Sequence, residues 1–149
     1  MTANLPSFPK NTNPNVPGLA GLDAALTWLL TQPPGSLRNH EIDLTQVLWD
    51  ALAAIPGVTL CGPNPQQTAR TGVISLQLAA YAPQDAAAIL DEHFGVQCRA
   101  GLHCAPGVHR SLGTLEAGGT LRFSLSPFAS CDDIESVAAA VRAISDNQG

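Results

Sequence analysis

Arg99-Ala-Gly-Leu-His103-Cys104-Ala-Pro-Gly-Val-His109-Arg110 places two histidines, two arginines and a cysteine in one short stretch of a chain that has only four histidines. A thiol attacks as its thiolate, and nearby positive charge or an imidazole favours that form. Arg99, His103, His109 and Arg110 would supply such charge to Cys104 if the fold brings them together. The same pattern suits an inert cysteine in a solvated basic loop, and spacing alone does not separate the two. Cys98, His103, Cys104 and His109 also offer two sulfur and two nitrogen ligands to zinc. The paired spacing of such sites is missing, and adjacent ligands such as His103 and Cys104 rarely both reach one ion, so no metal site is expected. Arg122 is the other candidate, in a short strand expected over residues 120–124. A guanidinium on a half-buried strand needs a carboxylate, either a structural Asp or Glu or one carried by a ligand. The chain has no GxSxG elbow, phosphate-binding loop or dinucleotide fingerprint.

These residues sit in a chain of 149 residues, 45% hydrophobic and 13% charged, with a formal charge of −5. That length suits one domain with a sizeable core, and the hydrophobicity excludes a disordered chain. An acidic balance argues against nucleic acid as a partner. No apolar run approaches the roughly 18 residues of a membrane span, and the Pro-rich start lacks an export signal's basic and apolar regions. A cytoplasmic location without membrane contact is the expectation. The four cysteines, at 61, 98, 104 and 131, contain no CxxC and read as reduced thiols. Cys61 and Cys131 read as ordinary. The single lysine, Lys10, leaves almost nothing for amine chemistry.

Residues 1–17 hold four prolines and four asparagines and read as an extended arm or linker, with residues 18–149 as the folded domain. Leu19, Leu22, Leu26, Leu29 and Leu30 recur at helical spacing until Pro33-Pro34-Gly35. Ser36 is the expected N-cap of a second helix ending near Ile55. Strands are expected at 58–61, 71–78, 96–99 and 120–124, a helix at 85–94 opened by Pro83, and a helical turn near 108–112. Ser130 or Asp132 caps a last helix with an Ile134, Val137, Val141 and Ile144 stripe. Strands clustered between helices, without strict alternation, predict an α+β fold: a small, mostly antiparallel sheet with helices on one face.

From Asn15 to about Ile144 the chain resembles the C-terminal, small-domain part of class V aminotransferase-like enzymes, and especially their cysteine desulfurase and selenocysteine lyase branch. The resemblance rests on Asn15-Val-Pro-Gly-Leu-Ala-Gly-Leu22, Phe94-Gly-Val-Gln-Cys-Arg-Ala-Gly-Leu-His-Cys-Ala-Pro106, Leu112-Gly-Thr-Leu-Glu116 and Thr120-Leu-Arg-Phe-Ser124. It implies the small-domain fold of fold-type I pyridoxal-phosphate enzymes, together with a connecting helix. It implies Cys104 as a nucleophile that takes sulfur from cysteine as a persulfide and releases alanine, with His103 beside it. Arg122 is implied as the clamp for the substrate carboxylate, with Arg99 at the start of the loop.

Pyridoxal 5′-phosphate is the implied cofactor, L-cysteine or selenocysteine the substrate, a protein the sulfur acceptor, and a homodimer the assembly of the intact family. The large cofactor-binding domain and its Schiff-base lysine have no counterpart in these residues, so this chain alone is not expected to hold the cofactor covalently. Thr12-Asn13 stands where the family commonly has Gly-Thr, whose threonine helps bind a phosphate, and the resemblance implies Asn13 at that cofactor-binding position. Phe128 is followed by Ala129-Ser130 in place of Asn-Thr. The resemblance also admits a non-catalytic relic, as a sulfur relay or dimerisation piece, and a transaminase or lyase fragment.

Overall fold

Pro33-Pro34-Gly35 ends the first helix and marks a boundary between two compact units, Met1–Pro34 and Gly35–Gly149. The structure, a computed structural model, describes residues 13–146. Most of the expected N-terminal arm therefore lies outside the described residues. In the first unit, α1 spans Val16–Thr31. It starts two residues ahead of the expected Gly18 because the Asn15 side chain accepts the Gly18 N–H at 3.1 Å and acts as the cap. Pro17 falls in the first turn, where a missing N–H costs nothing. The helix buries none of its residues.

The second unit contains α2 (Ser36–Ala53), β1 (Val58–Cys61), β2 (Val73–Leu78), α3 (Pro83–Phe94), β3 (Arg99–Gly101), α4 (Pro106–Leu112), β4 (Thr120–Ser124) and α5 (Cys131–Asp146). The four strands form one antiparallel sheet in the order β1-β2-β4-β3. Period-2 alternation puts Leu60, Ile74, Leu76, Leu78, Leu121 and Phe123 on one face. There they meet Leu48 and Leu52 of α2, Leu90 of α3 and Val141 of α5, all of them fully buried. The predicted α+β sheet with its helices on one face is what forms.

Three local differences have physical causes. Ser36 is the first helical residue and not the cap, because Gly35, at φ +80°, makes the turn from Pro34. The third strand begins at Arg99, three residues later than the pattern suggests. Gly95 at φ +65° closes α3, and the Val96 N–H returns to the Leu90 carbonyl at 3.0 Å, so residues 96–98 are tied to the helix end before the ladder starts. The helical turn near 108–112 extends back to Pro106 as α4. At α5, Ser130 is the cap: its Oγ accepts the Asp133 N–H at 3.2 Å, and the Asp133 carboxylate accepts the Ser130 N–H at 2.8 Å. That backbone bond holds the Asp133 carboxyl below the usual carboxylate range.

The opposite sheet face carries Thr59, Ser75, Gln77, Thr120, Arg122 and Ser124. The β3–β4 edge depends on a close backbone approach. Gly119, at φ +103°, passes so near Gly101 that a Cβ on it would collide with the Gly101 carbonyl. Replacing Gly119 with Ala is expected to lower unfolding stability by at least about 2 kcal/mol in urea titrations, through both the clash and the positive φ. Gly35→Ala, at φ +80° with nothing near its missing Cβ, is expected to cost only about 1 kcal/mol.

Candidate functional site

The sheet register places Arg99 directly opposite Arg122, and Arg122 directly opposite Ser75. Two guanidinium groups thus share one face of neighbouring strands, an arrangement that costs energy unless an anion offsets it. Among the described residues the one ion pair is Arg38 with Glu41 on α2, and neither Arg99 nor Arg122 has a carboxylate partner. The structural Asp or Glu that sequence reasoning left open for Arg122 is not present among them. Arg122 Nε is moreover buried without any hydrogen-bond partner. A cleft of about 340 Å³ opens here, bordered by Gln97, Cys98, Arg99, Arg122 and Ser124. A larger cavity of about 390 Å³, among Phe94, Phe123, Phe128 and Val137, has no cation in its lining and shares only Gln97 and Ser124 with the first. The smaller cleft is the one with chemistry.

Cys104 follows β3 in a tight turn whose ends are closed by the Ala105 N–H bonding the Leu102 carbonyl at 2.8 Å. Both central residues have positive φ, His103 at 50° and Cys104 at 58°. Glycine or asparagine usually fills such positions, because an L side chain there costs roughly 1–2 kcal/mol. Two successive non-glycine residues in this region mark stored backbone strain, a recurrent feature of functional sites. The strain turns Cys104 out to solvent, where it is exposed.

His103 is anchored instead. Its Nε2 lies 3.1 Å from the Thr120 carbonyl oxygen and 3.2 Å from Thr120 Oγ1. Thr120 is buried and starts the strand that carries Arg122. Burial, and next the charge of Arg122, push the His103 imidazole below its ordinary value, while the Thr120 carbonyl bond pulls the other way. An unfolded chain takes up this proton more readily, so His103 favours the folded state above the ordinary imidazole range. That contribution fades as pH falls through it. His109 is buried, with Nδ1 2.7 Å from Thr114 Oγ1, and its ring centroid lies 5.7 Å from that of His103.

Arg99, Arg122, His103 and His109 therefore converge, and Cys104 adjoins them through His103. Arg110 lies exposed in the last turn of α4. Asn13 is exposed in the first unit, ahead of α1. Cys98 is half-buried against the core, and burial, aided by Asp91, pushes its thiol up to about 11. Burial also raises the Cys61 thiol. Cys131 is exposed at the start of α5, and all four cysteines are free thiols. No group of three or more metal-ligating side chains forms among the described residues. Sequence reasoning missed Thr114 and Thr120, the anchors of the two histidines. The Gly118-Gly119 pair ahead of Thr120 was the only available hint that the chain packs tightly there.

Fold and site together define an α+β module with an arginine pair on its open sheet face and a thiol on a strained turn beside it. The chain belongs to the aminotransferase class-V family, whose profile matches residues 3–137. A probable cysteine desulfurase of Synechocystis sp. is 31% identical over 150 residues, which is 98% of this chain and 35% of that protein. A probable cysteine desulfurase of Methanothermobacter thermautotrophicus is 28% identical over 81% of this chain and 30% of its own length. Among solved structures, the cysteine desulfurase CsdA of Escherichia coli, in an S-sulfonic acid form, superposes with a TM-score of 0.73 at 28% identity, over 92% of this chain and 32% of that one. The apo cysteine desulfurase of Thermococcus onnurineus NA1 gives 0.76 at 28% identity, over 91% and 32%. This chain thus spans about a third of the length of these relatives. No helix among the described residues is long and apolar enough to cross a membrane.

Two expected outcomes test the turn. Cys104→Gly should be more stable than Cys104→Ala by about 1 kcal/mol in urea denaturation, since only glycine relieves the positive φ. With iodoacetamide at neutral pH, peptide mapping should show Cys104 alkylated well before Cys98. Equal rates would contradict the burial and charge assigned to Cys98.

Proposed function

We propose that this chain is the sulfur-carrying and carboxylate-binding part of a cysteine desulfurase-type enzyme. The observation that carries the reading is the Arg99–Arg122 pair, without a carboxylate partner among the described residues, next to the strained turn that presents Cys104. The carboxylate of cysteine, or of selenocysteine, is seated on Arg122 with Arg99 beside it, through the paired N–H donors that a guanidinium offers. That leaves the β-sulfur of the amino acid free to meet the exposed thiol. With the cofactor-bearing half supplied, the Cys104 thiolate would attack that sulfur: a sulfur–sulfur bond forms as the carbon–sulfur bond breaks, the electron pair of that bond passes to the β-carbon, a solvent proton completes the methyl group, and alanine leaves. A persulfide remains on Cys104, exposed on its turn for a sulfur-accepting protein.

Pyridoxal 5′-phosphate is the cofactor this family implies, and it supplies the electron sink for carbon–sulfur cleavage. The residues present do not fit its covalent attachment: the described residues include no lysine, and Lys10 lies outside them. The cofactor, with the large domain that holds it, is assigned to polypeptide outside these residues, in the homodimeric arrangement and cytoplasmic setting of such enzymes. This chain's own part is to bind the carboxylate, orient the amino acid and accept sulfur.

Three measurements check the reading. Treated with a small-molecule persulfide, the chain should gain one sulfur atom on the Cys104 peptide by mass spectrometry, and Cys104→Ala should gain none there. Labelling spread evenly over Cys61, Cys104 and Cys131 would contradict it, and would favour a family member in which Cys104 carries no sulfur. Arg122→Gln should weaken L-cysteine binding about tenfold or more in calorimetry, given the strength of charge-assisted hydrogen bonds. Added pyridoxal phosphate should give the same absorbance spectrum with the wild type and Lys10→Arg; a lysine-dependent imine band would overturn the assignment of the cofactor to other residues.

A further inference from the structure

The His103 ring is held in one tautomer. The Thr120 carbonyl oxygen 3.1 Å from Nε2 can only accept, so in the neutral ring Nε2 carries the proton. Nδ1 then holds the lone pair, and that atom is buried with no hydrogen-bond partner. A buried acceptor left open in this way is unusual and calls for a reason. It is poised to gain a proton without any movement of the ring.

Burial first, and then charge, oppose that gain. Thr120, to which His103 is anchored, lies on the same sheet face as Arg122 and two residues from it, roughly 7 Å along the strand. Arg99 faces Arg122 from β3, and His109 packs against the ring from α4. These three are the titratable or charged groups acting on His103 from β3, β4 and α4, and each disfavours a second cation beside it. Among the described residues no acid balances the two arginines.

We propose that His103 is a carboxylate-gated proton carrier: a carboxylate seated on Arg99 and Arg122 lets Nδ1 take up a proton that the unliganded arginines keep off. The inference rests on the carboxylate-clamp reading of the arginine pair and goes beyond it. The proton comes from solvent and one N–H bond forms at Nδ1. The new positive charge is matched by the negative charge of the ligand, and no other bond changes. Because linkage is reciprocal, the protonated protein must bind the carboxylate more tightly by the factor that the ligand adds to proton affinity. The site therefore takes up a proton at Nδ1 about tenfold more readily when a carboxylate is in place.

The test is a pH titration of the His103 Cε1–H signal by NMR on the whole chain, with and without saturating propionate at constant ionic strength. His103→Gln assigns the signal, and His40 and His93 serve as internal controls. The expected result is a His103 midpoint about one pH unit higher with propionate, and a propionate Kd about tenfold lower below that midpoint than above it. In Arg122→Gln the midpoint should already be raised without propionate and should not respond to it; Arg99→Gln should give a smaller rise. If propionate shifts the arginine Nε–H signals while the His103 midpoint stays put, the proton carrier is wrong and the clamp stands. If propionate moves neither, the clamp reading fails and takes this inference with it.

Discussion

Two guanidinium groups face each other across neighbouring strands, with no carboxylate partner among the described residues. A sheet does not hold like charges side by side for stability, since direct cross-strand repulsion works against pairing. The buried, unpartnered Nε of Arg122 adds the desolvation cost of a charged donor. In the proposed function, a carboxylate seated on the pair would offset both costs. Helices α2, α3 and α5 pack on the opposite face, α4 brings His109 against His103, and the β3–β4 ladder fixes the two arginines at one level.

The turn above this pair follows from the same backbone. Gly101 and Gly119 approach so closely that no side chain fits between them, and this draws Thr120 beneath the loop. Thr120 then anchors His103 by two contacts. On that turn both His103 and Cys104 have positive φ, and Cys104 is exposed. His109, locked to Thr114, fills the space behind the ring.

Much of this was legible in the residues, and the rest was hidden for definite reasons. Helical periodicity and proline–glycine stops located α2, α3 and α5, and alternation with the flanking Gly118-Gly119 located β4 at its observed bounds. The start of β3 was misjudged because Val96-Gln97-Cys98 has strand composition, yet its first N–H is committed to the end of α3. That commitment is a property of the cap, not of the three residues. The clustering of Arg99, His103 and Cys104 was visible, but the positive φ at His103 and Cys104 was not, because neither residue type announces it. His109 read as one more charge for the thiol, whereas it is a buried spacer. The missing partner of Arg122 needed the whole fold, since only the fold shows which acids fall within reach.

In the proposed function the arginine pair and the exposed thiol serve one and the same ligand. Intermolecular NOEs from a bound short carboxylate, such as propionate, to this chain test it most directly. The account predicts contacts from a single bound molecule to the Arg122 side chain at its carboxylate end and to the Cys104 β-protons at its methyl end. Contacts that reach Arg122 and never Cys104, with the loop signals unchanged, would contradict it.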